Sequence, residues 1–253
     1  MTTIIPEPDV HNVWRTETPG NDGWLRSARP DAADKFFMIS ADGHVQEPRK
    51  IFKERLPEEF HSRFPSVVTA RSGEQFQKTE GFRPTKLNWV NPLQGHEKLR
   101  YESGRRPAER AAELEIDGVD GEILFPNVGL AMWATRDAGF SHLMCRAWND
   151  WAWENYGPHN DRLAPMACVA PGALDETLAE IQRCAALGFR GLCLPCKPVF
   201  GPPDVDDLNY NLKELEPLWS CIEDVDLPIT FHVSTGRDPR TSRSQGGAVI
   251  NYT

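Results

Sequence analysis

Phe36-Phe37-Met38-Ile39-Ser40-Ala41-Asp42-Gly43-His44 runs from an apolar tetrapeptide into an acid and an imidazole two positions apart. The apolar part has the composition of a buried strand. Side chains alternate along an extended chain, so Asp42 and His44 leave on the same face near its end. A carboxylate oxygen beside an imidazole nitrogen suits zinc, manganese or iron better than calcium or magnesium. A plainer reading is also open, in which Asp42-Gly43 is a turn and His44 a hydrogen-bonded loop residue. Leu227-Pro228-Ile229-Thr230-Phe231-His232 ends a second apolar run on another imidazole. That histidine fits a ligand or a satisfied core residue. Three ligand-type side chains at the ends of separate strands imply a barrel.

Working outward, apolar runs at 36–41, 122–125, 163–170, 189–194 and 228–233 read as strands. Helical stretches at 107–116, 141–156, 175–187 and 212–223 separate the later ones. Pro107 sits in a first turn, where its missing N–H costs nothing. The third helix opens on acidic residues and stops at Gly188, matching the helix dipole and a left-handed cap. Continuous apolar strands alternating with amphipathic helices imply a parallel sheet buried on both faces. The expected fold is α/β, a TIM-type (β/α)8 barrel with about five βα units present. In such a barrel the C-terminal ends of strands one and five lie across one mouth, where functional groups gather.

Two segments depart from the alternation. Residues 1–34 are polar and rich in proline and glycine, with Trp14 and Trp24 as large anchors, and read as an extended arm. Residues 57–104, within a barrel domain spanning 35–253, read as an insertion after strand one. Loops at strand C-termini build active sites, so it is a candidate lid or substrate wall, a plain surface excursion being the alternative. After strand five about 20 residues remain, whereas three further βα units need roughly 25–30 each. The chain is therefore expected to stop before the barrel closes.

A formal charge of −9 argues against a nucleic-acid backbone as partner, which requires a concentrated basic surface. No apolar stretch reaches the roughly 18–20 residues that span a bilayer, and no signal peptide is legible, so a cytoplasmic address is expected. The six cysteines lie mostly in apolar segments and read as reduced core thiols. Cys193-Leu194-Pro195-Cys196 lacks the second pair that a four-thiolate zinc site needs. No phosphate-binding glycine loop or Ser/His/Asp arrangement is evident.

Several runs together resemble a known family. They are Ile39-Ser40-Ala41-Asp42-Gly43-His44-Val45-Gln46-Glu47-Pro48 and Glu115-Ile116-Asp117-Gly118-Val119-Asp120-Gly121-Glu122-Ile123-Leu124-Phe125-Pro126. Trp148-Asn149-Asp150, Gly188-Phe189-Arg190-Gly191, Glu216-Pro217-Leu218-Trp219 and Phe231-His232-Val233 follow in order. The whole is similar to the amidohydrolase-2 branch of the amidohydrolase superfamily, the group of aminocarboxymuconate-semialdehyde decarboxylase and related aromatic-acid decarboxylases. The resemblance implies a mononuclear metal barrel. Asp42 stands where the family's first-strand motif usually has histidine, His44 takes the second ligand position, and His232 matches the strand-five ligand. The family's strand-six histidine and strand-eight aspartate have no counterpart, which accords with C-terminal truncation.

The implied cofactor is one divalent metal ion, zinc first, manganese or iron next. Such an ion either polarises a substrate carboxylate or hydroxyl, or acidifies a bound water. The acidic ligand favours a carboxy-lyase acting on a small carboxylated substrate. A hydrolase of esters, lactones or amides on the same fold is the first alternative. A non-catalytic fragment or subunit pairing through open barrel edges is the second. Lys197, following strand four, is the expected substrate-binding cation; Arg105, Arg106 and Arg110 are weaker candidates. No general base is assigned, and a homo-oligomer is expected.

Overall fold

The computed structural model describes residues 38–48, 50–81, 84–86, 106–196 and 210–232. The expected arm at 1–34, much of the expected insertion, Arg105, Lys197 and the chain beyond His232 lie outside the described residues. In chain order the strands are β1 (Ile39–Val45), β2 (Ser66–Thr69), β3 (Gln75–Lys78), β4 (Thr85–Lys86), β5 (Gly121–Pro126), β6 (Leu163–Pro165), β7 (Ala167–Cys168), β8 (Leu192–Pro195) and β9 (Ile229–His232). The helices are α1 (Lys50–Arg55), α2 (Pro107–Asp117), α3 (Ala138–Tyr156), α4 (Leu174–Leu187) and α5 (Glu216–Asp224).

β1, β5 and β6 pair in parallel, and so do β7, β8 and β9. Only Met166 separates β6 from β7, so the two sheets are one parallel arc of a barrel. The strand expected over 163–170 is thus split. Met166 N donates to Leu124 O on one side (2.9 Å), whereas Ala167 N donates to Gly191 O on the other (3.0 Å). A strand that pairs with one neighbour along its first half and the other along its second half gives the stagger a closing sheet requires. β1 also departs from expectation: it continues through Val45, so Asp42 and His44 lie within the strand, not beyond it. A ladder to β5 that resumes after a bulge keeps this segment extended.

α2, α3 and α4 cover the expected helices to within a few residues. The last helix starts later than 212, because a 3-10 turn at Lys213–Leu215 precedes it and Pro217 fixes its first turn. Asp137 caps α3 by accepting from Phe140 N (3.0 Å). Gly188 ends α4 in the left-handed region at φ 107°, which a side chain would strain.

α3 supplies the bulk of the core beneath the first half of the arc. Its Trp148, Phe140 and Tyr156 are fully buried with Trp133 and Leu163. Ile181, Leu192, Leu194 and Leu218 fill a second cluster under the other half. Across the strand break runs Trp148-Asn149-Asp150. Trp148 Nε1 donates to Met166 O (3.0 Å), while the Asn149 side chain accepts from Cys168 N (2.7 Å) and donates to Cys168 O (2.9 Å). The described part of the segment after α1 holds the antiparallel sheet β2–β3–β4. Arg63 links it to the start of α3 through Glu80 (2.6 and 2.8 Å) and Asp137 (2.8 Å).

All six cysteines are free thiols, five of them buried, as the composition implied. Burial pushes the Cys145 and Cys168 thiols well above their ordinary range, which keeps them protonated and inert. No helix among the described residues is long and apolar enough to cross a membrane.

Candidate metal centre

β1 and β9 bring Asp42, His44 and His232 together, with one ligand atom from each lying within 4.8 Å of the others. His44 Nε2 and His232 Nε2 are 3.3 Å apart, and Asp42 Oδ1 is 3.5 Å from each. An ion about 2.0–2.2 Å from each donor needs donor atoms about 3.0–3.5 Å apart, so these three can form one face of a coordination shell. Three further features make this arrangement a fit to a divalent ion and not only a cluster of polar groups.

First, the tautomer of His44 follows from its other nitrogen. Nδ1 lies 2.9 Å from the Pro126 carbonyl oxygen, which only accepts, so Nδ1 carries the proton and Nε2 offers a lone pair toward Asp42 and His232. Second, the rings are held by packing: Phe125 meets His232 edge-on with centroids 5.0 Å apart and lies 6.2 Å from the His44 ring. Third, among the described residues the site is walled on one side only. The His232 side chain is 8% exposed and that of Asp42 72%, leaving the carboxylate side open to a ligand.

The local backbone explains how two ligands from one strand reach one point. Ser40 pairs with Glu122 and Gly43 with Leu124, so two residues of β1 oppose one of β5. This bulge re-aims Asp42. Gly43 is required there by close approach. A Cβ on it would lie 2.5 Å from Glu122 Cδ and 2.6 Å from Cγ. Glu122 cannot swing aside, because Arg110 holds both its oxygens, Nε to Oε2 at 2.6 Å and Nη2 to Oε1 at 2.9 Å. Gly43→Ala is therefore expected to destabilise the fold by about 1–3 kcal/mol, the usual penalty for overpacking. Urea unfolding followed by circular dichroism measures it; an unchanged midpoint would mean that Glu122 relocates freely.

Of the cations suggested by sequence, Arg110 is not a substrate group. Besides Glu122, it donates from Nη1 to the His44 carbonyl (3.0 Å), so its fork faces the protein. Arg106 is exposed and pairs with Glu109 (2.7 Å). His61 donates from Nε2 to Leu56 O (3.0 Å), and His142 is buried with no hydrogen-bond partner on Nδ1 among the described residues. Neither approaches the centre's ligand set. The roles of Glu122 and Gly43 do not follow from the sequence pattern along either strand. A charge inside the apolar run Gly121–Pro126 was the available signal, since a buried carboxylate needs a partner.

The amidohydrolase family model, that of the amidohydrolase-2 branch, matches residues 41–249. The chain belongs to this family. Among solved structures, an amidohydrolase from Mycobacterium avium subsp. paratuberculosis K-10 is similar with a TM-score of 0.64 at 16% identity, over 80% of this chain and 60% of that one. The 2,6-dihydroxybenzoate decarboxylase from Rhizobium is similar with a TM-score of 0.52 at 20% identity, over 82% and 52%. The 5-carboxyvanillate decarboxylase from Novosphingobium aromaticivorans DSM 12444, solved with manganese, gives 0.52 at 18% identity, over 81% and 53%. These likenesses establish the barrel fold. The amidohydrolase-2 chain described here spans between half and two thirds of the length of these neighbours. No curated protein matches it.

Proposed function

We propose that this amidohydrolase-2 protein is a divalent-metal carboxy-lyase acting on a small carboxylated substrate of aromatic or enolic type. The observation that carries the reading is the triangle of Asp42, His44 and His232 at one mouth of a parallel arc, with an acid in the first ligand position. The decarboxylases among the structural neighbours support the same reaction class. Asp-His-His suits zinc, manganese or iron, and the neighbour solved with manganese raises that ion beside zinc.

When bound, the ion supplies positive charge that polarises a substrate carboxylate or an adjacent hydroxyl. The protein's own residues prepare that place. His44 is fixed with its Nε2 lone pair outward by the Pro126 carbonyl, and Phe125 packs beside both imidazoles. Asp42 adds a negative charge on the open side, which offsets part of the ion's charge. Lys197, two residues after the end of β8 in sequence, is the cation we assign to the substrate's acidic group. In the reaction the carbon–carbon bond to the carboxylate breaks, carbon dioxide leaves and the remaining carbon takes a proton.

The test is a panel of carboxylated phenols and enolic acids offered to the protein loaded with zinc, manganese or iron(II), in water enriched in ¹⁸O. Metal-dependent release of carbon dioxide is the expected result. Incorporation of ¹⁸O into an acid or alcohol product without carbon dioxide would replace the lyase by a hydrolase. A protein that binds none of the ions would remove both.

A further inference from the structure

We infer that Arg110 is a positioning residue for the metal-binding segment, acting through Glu122 and the His44 backbone. The inference rests on reading Asp42, His44 and His232 as ligands. One guanidinium on α2 serves two neighbours. Its Nε and Nη2 grip both oxygens of Glu122 on β5, and its Nη1 donates to the His44 carbonyl on β1. Glu122 is buried and Arg110 nearly so, with side chains 8% and 13% exposed.

The three contacts bear on the geometry of the ligands in different ways. Holding the His44 carbonyl limits rotation of the backbone that carries the ring, while the Pro126 carbonyl limits rotation of the ring itself. Holding Glu122 keeps its side chain packed on Gly43, and Gly43 lies where the β1–β5 register resumes after the bulge. Asp42 stands inside that bulge, so the clamp fixes where its carboxylate points. A bidentate fork with a third donor is a task for arginine, because a lysine ammonium offers the charge without the planar geometry.

Cobalt(II) titration of the purified protein reads this out, since visible absorption reports both affinity and coordination. The parent is expected to bind one equivalent, and His232→Ala to lose the band. Arg110→Lys and Arg110→Met are each expected to weaken cobalt about 10–100-fold and to alter the band, the range seen when outer contacts of metal ligands are removed. Removal of one member of a buried pair can unfold a protein. The double variant Arg110→Met/Glu122→Leu removes both charges, and is expected to fold and still bind weakly. Arg63→Met breaks an ion-pair cluster in the β2–β4 region, and should lower stability without altering the cobalt spectrum. Parent-like affinity and spectrum in folded Arg110→Lys, or in the folded double variant, would overturn the inference. If the parent itself binds no cobalt, the ligand reading fails first, and this inference fails with it.

Discussion

Alanine at His232 is expected to reduce affinity for a divalent ion by more than 100-fold while leaving the apo fold intact. Loss of an outer-shell partner costs about 10–100-fold, and loss of one of three protein ligands must cost more. The imidazole is well placed to be removed cleanly. It ends β9, whose ladder to β8 is made by backbone groups that alanine retains, including the Pro195 and His232 register pair. What disappears includes one nitrogen, 3.3 Å from that of His44 and 3.5 Å from Asp42 Oδ1, and an edge contact on Phe125. Two readouts separate metal loss from unfolding. An ion present at 100 times its dissociation constant stabilises the native state by about 2.7 kcal/mol, so the parent should melt higher when metal is added. His232→Ala should melt close to the apo parent and show no such rise. A variant that keeps one tightly bound equivalent would take His232 out of the site.

Much of this was legible in the chain. Strand and helix order followed from apolar runs and from punctuation at Pro107 and Gly188, because a parallel sheet covered on both faces leaves a strong period in sequence. Asp42, His44 and His232 were legible as ligand types because the C-terminal ends of their strands converge at one mouth of the expected barrel. The rest depended on contacts between distant residues. That β1 bulges at Ala41 and Asp42 follows from where the β5 ladder resumes, which periodicity along one strand does not encode. The break in the third strand was hidden for a similar reason. Leu163 to Ala170 is apolar throughout, and only its two different neighbours divide it. Arg110 reads in sequence as a candidate substrate cation because its partner Glu122 lies on another element. The family-like run Trp148-Asn149-Asp150 was visible as a pattern, but its role emerges only where α3 crosses Met166–Cys168.

That role leads to the largest expected change in stability. Asn149→Leu should lower the unfolding free energy by roughly 2–6 kcal/mol, since Cys168 N and Cys168 O lose this partner and a buried polar group left unsatisfied costs about 1–3 kcal/mol. Leucine nearly conserves the volume, so a cavity contributes little and the loss is one of hydrogen bonds. The amide currently satisfies Cys168 N and Cys168 O, and donates to Glu180 Oε1 at 2.8 Å, all at buried positions. Glu180 sharpens the effect. Burial alone would raise its carboxyl pKa, yet hydrogen bonds from Arg183 and Asn149 outweigh burial and hold it below the ordinary range. Removing Asn149 leaves that carboxylate on Arg183 and the weak donor of the Cys184 thiol. A domain is typically stable by only about 5–15 kcal/mol, so a loss of this size brings it near its limit. Urea unfolding should show a lower midpoint with an unchanged slope, because the surface exposed on unfolding stays the same. A loss under about 1 kcal/mol would mean that water replaces the amide. The junction of the two half-sheets would then be held by the strand ladders and Trp148, with Asn149 only filling space between them.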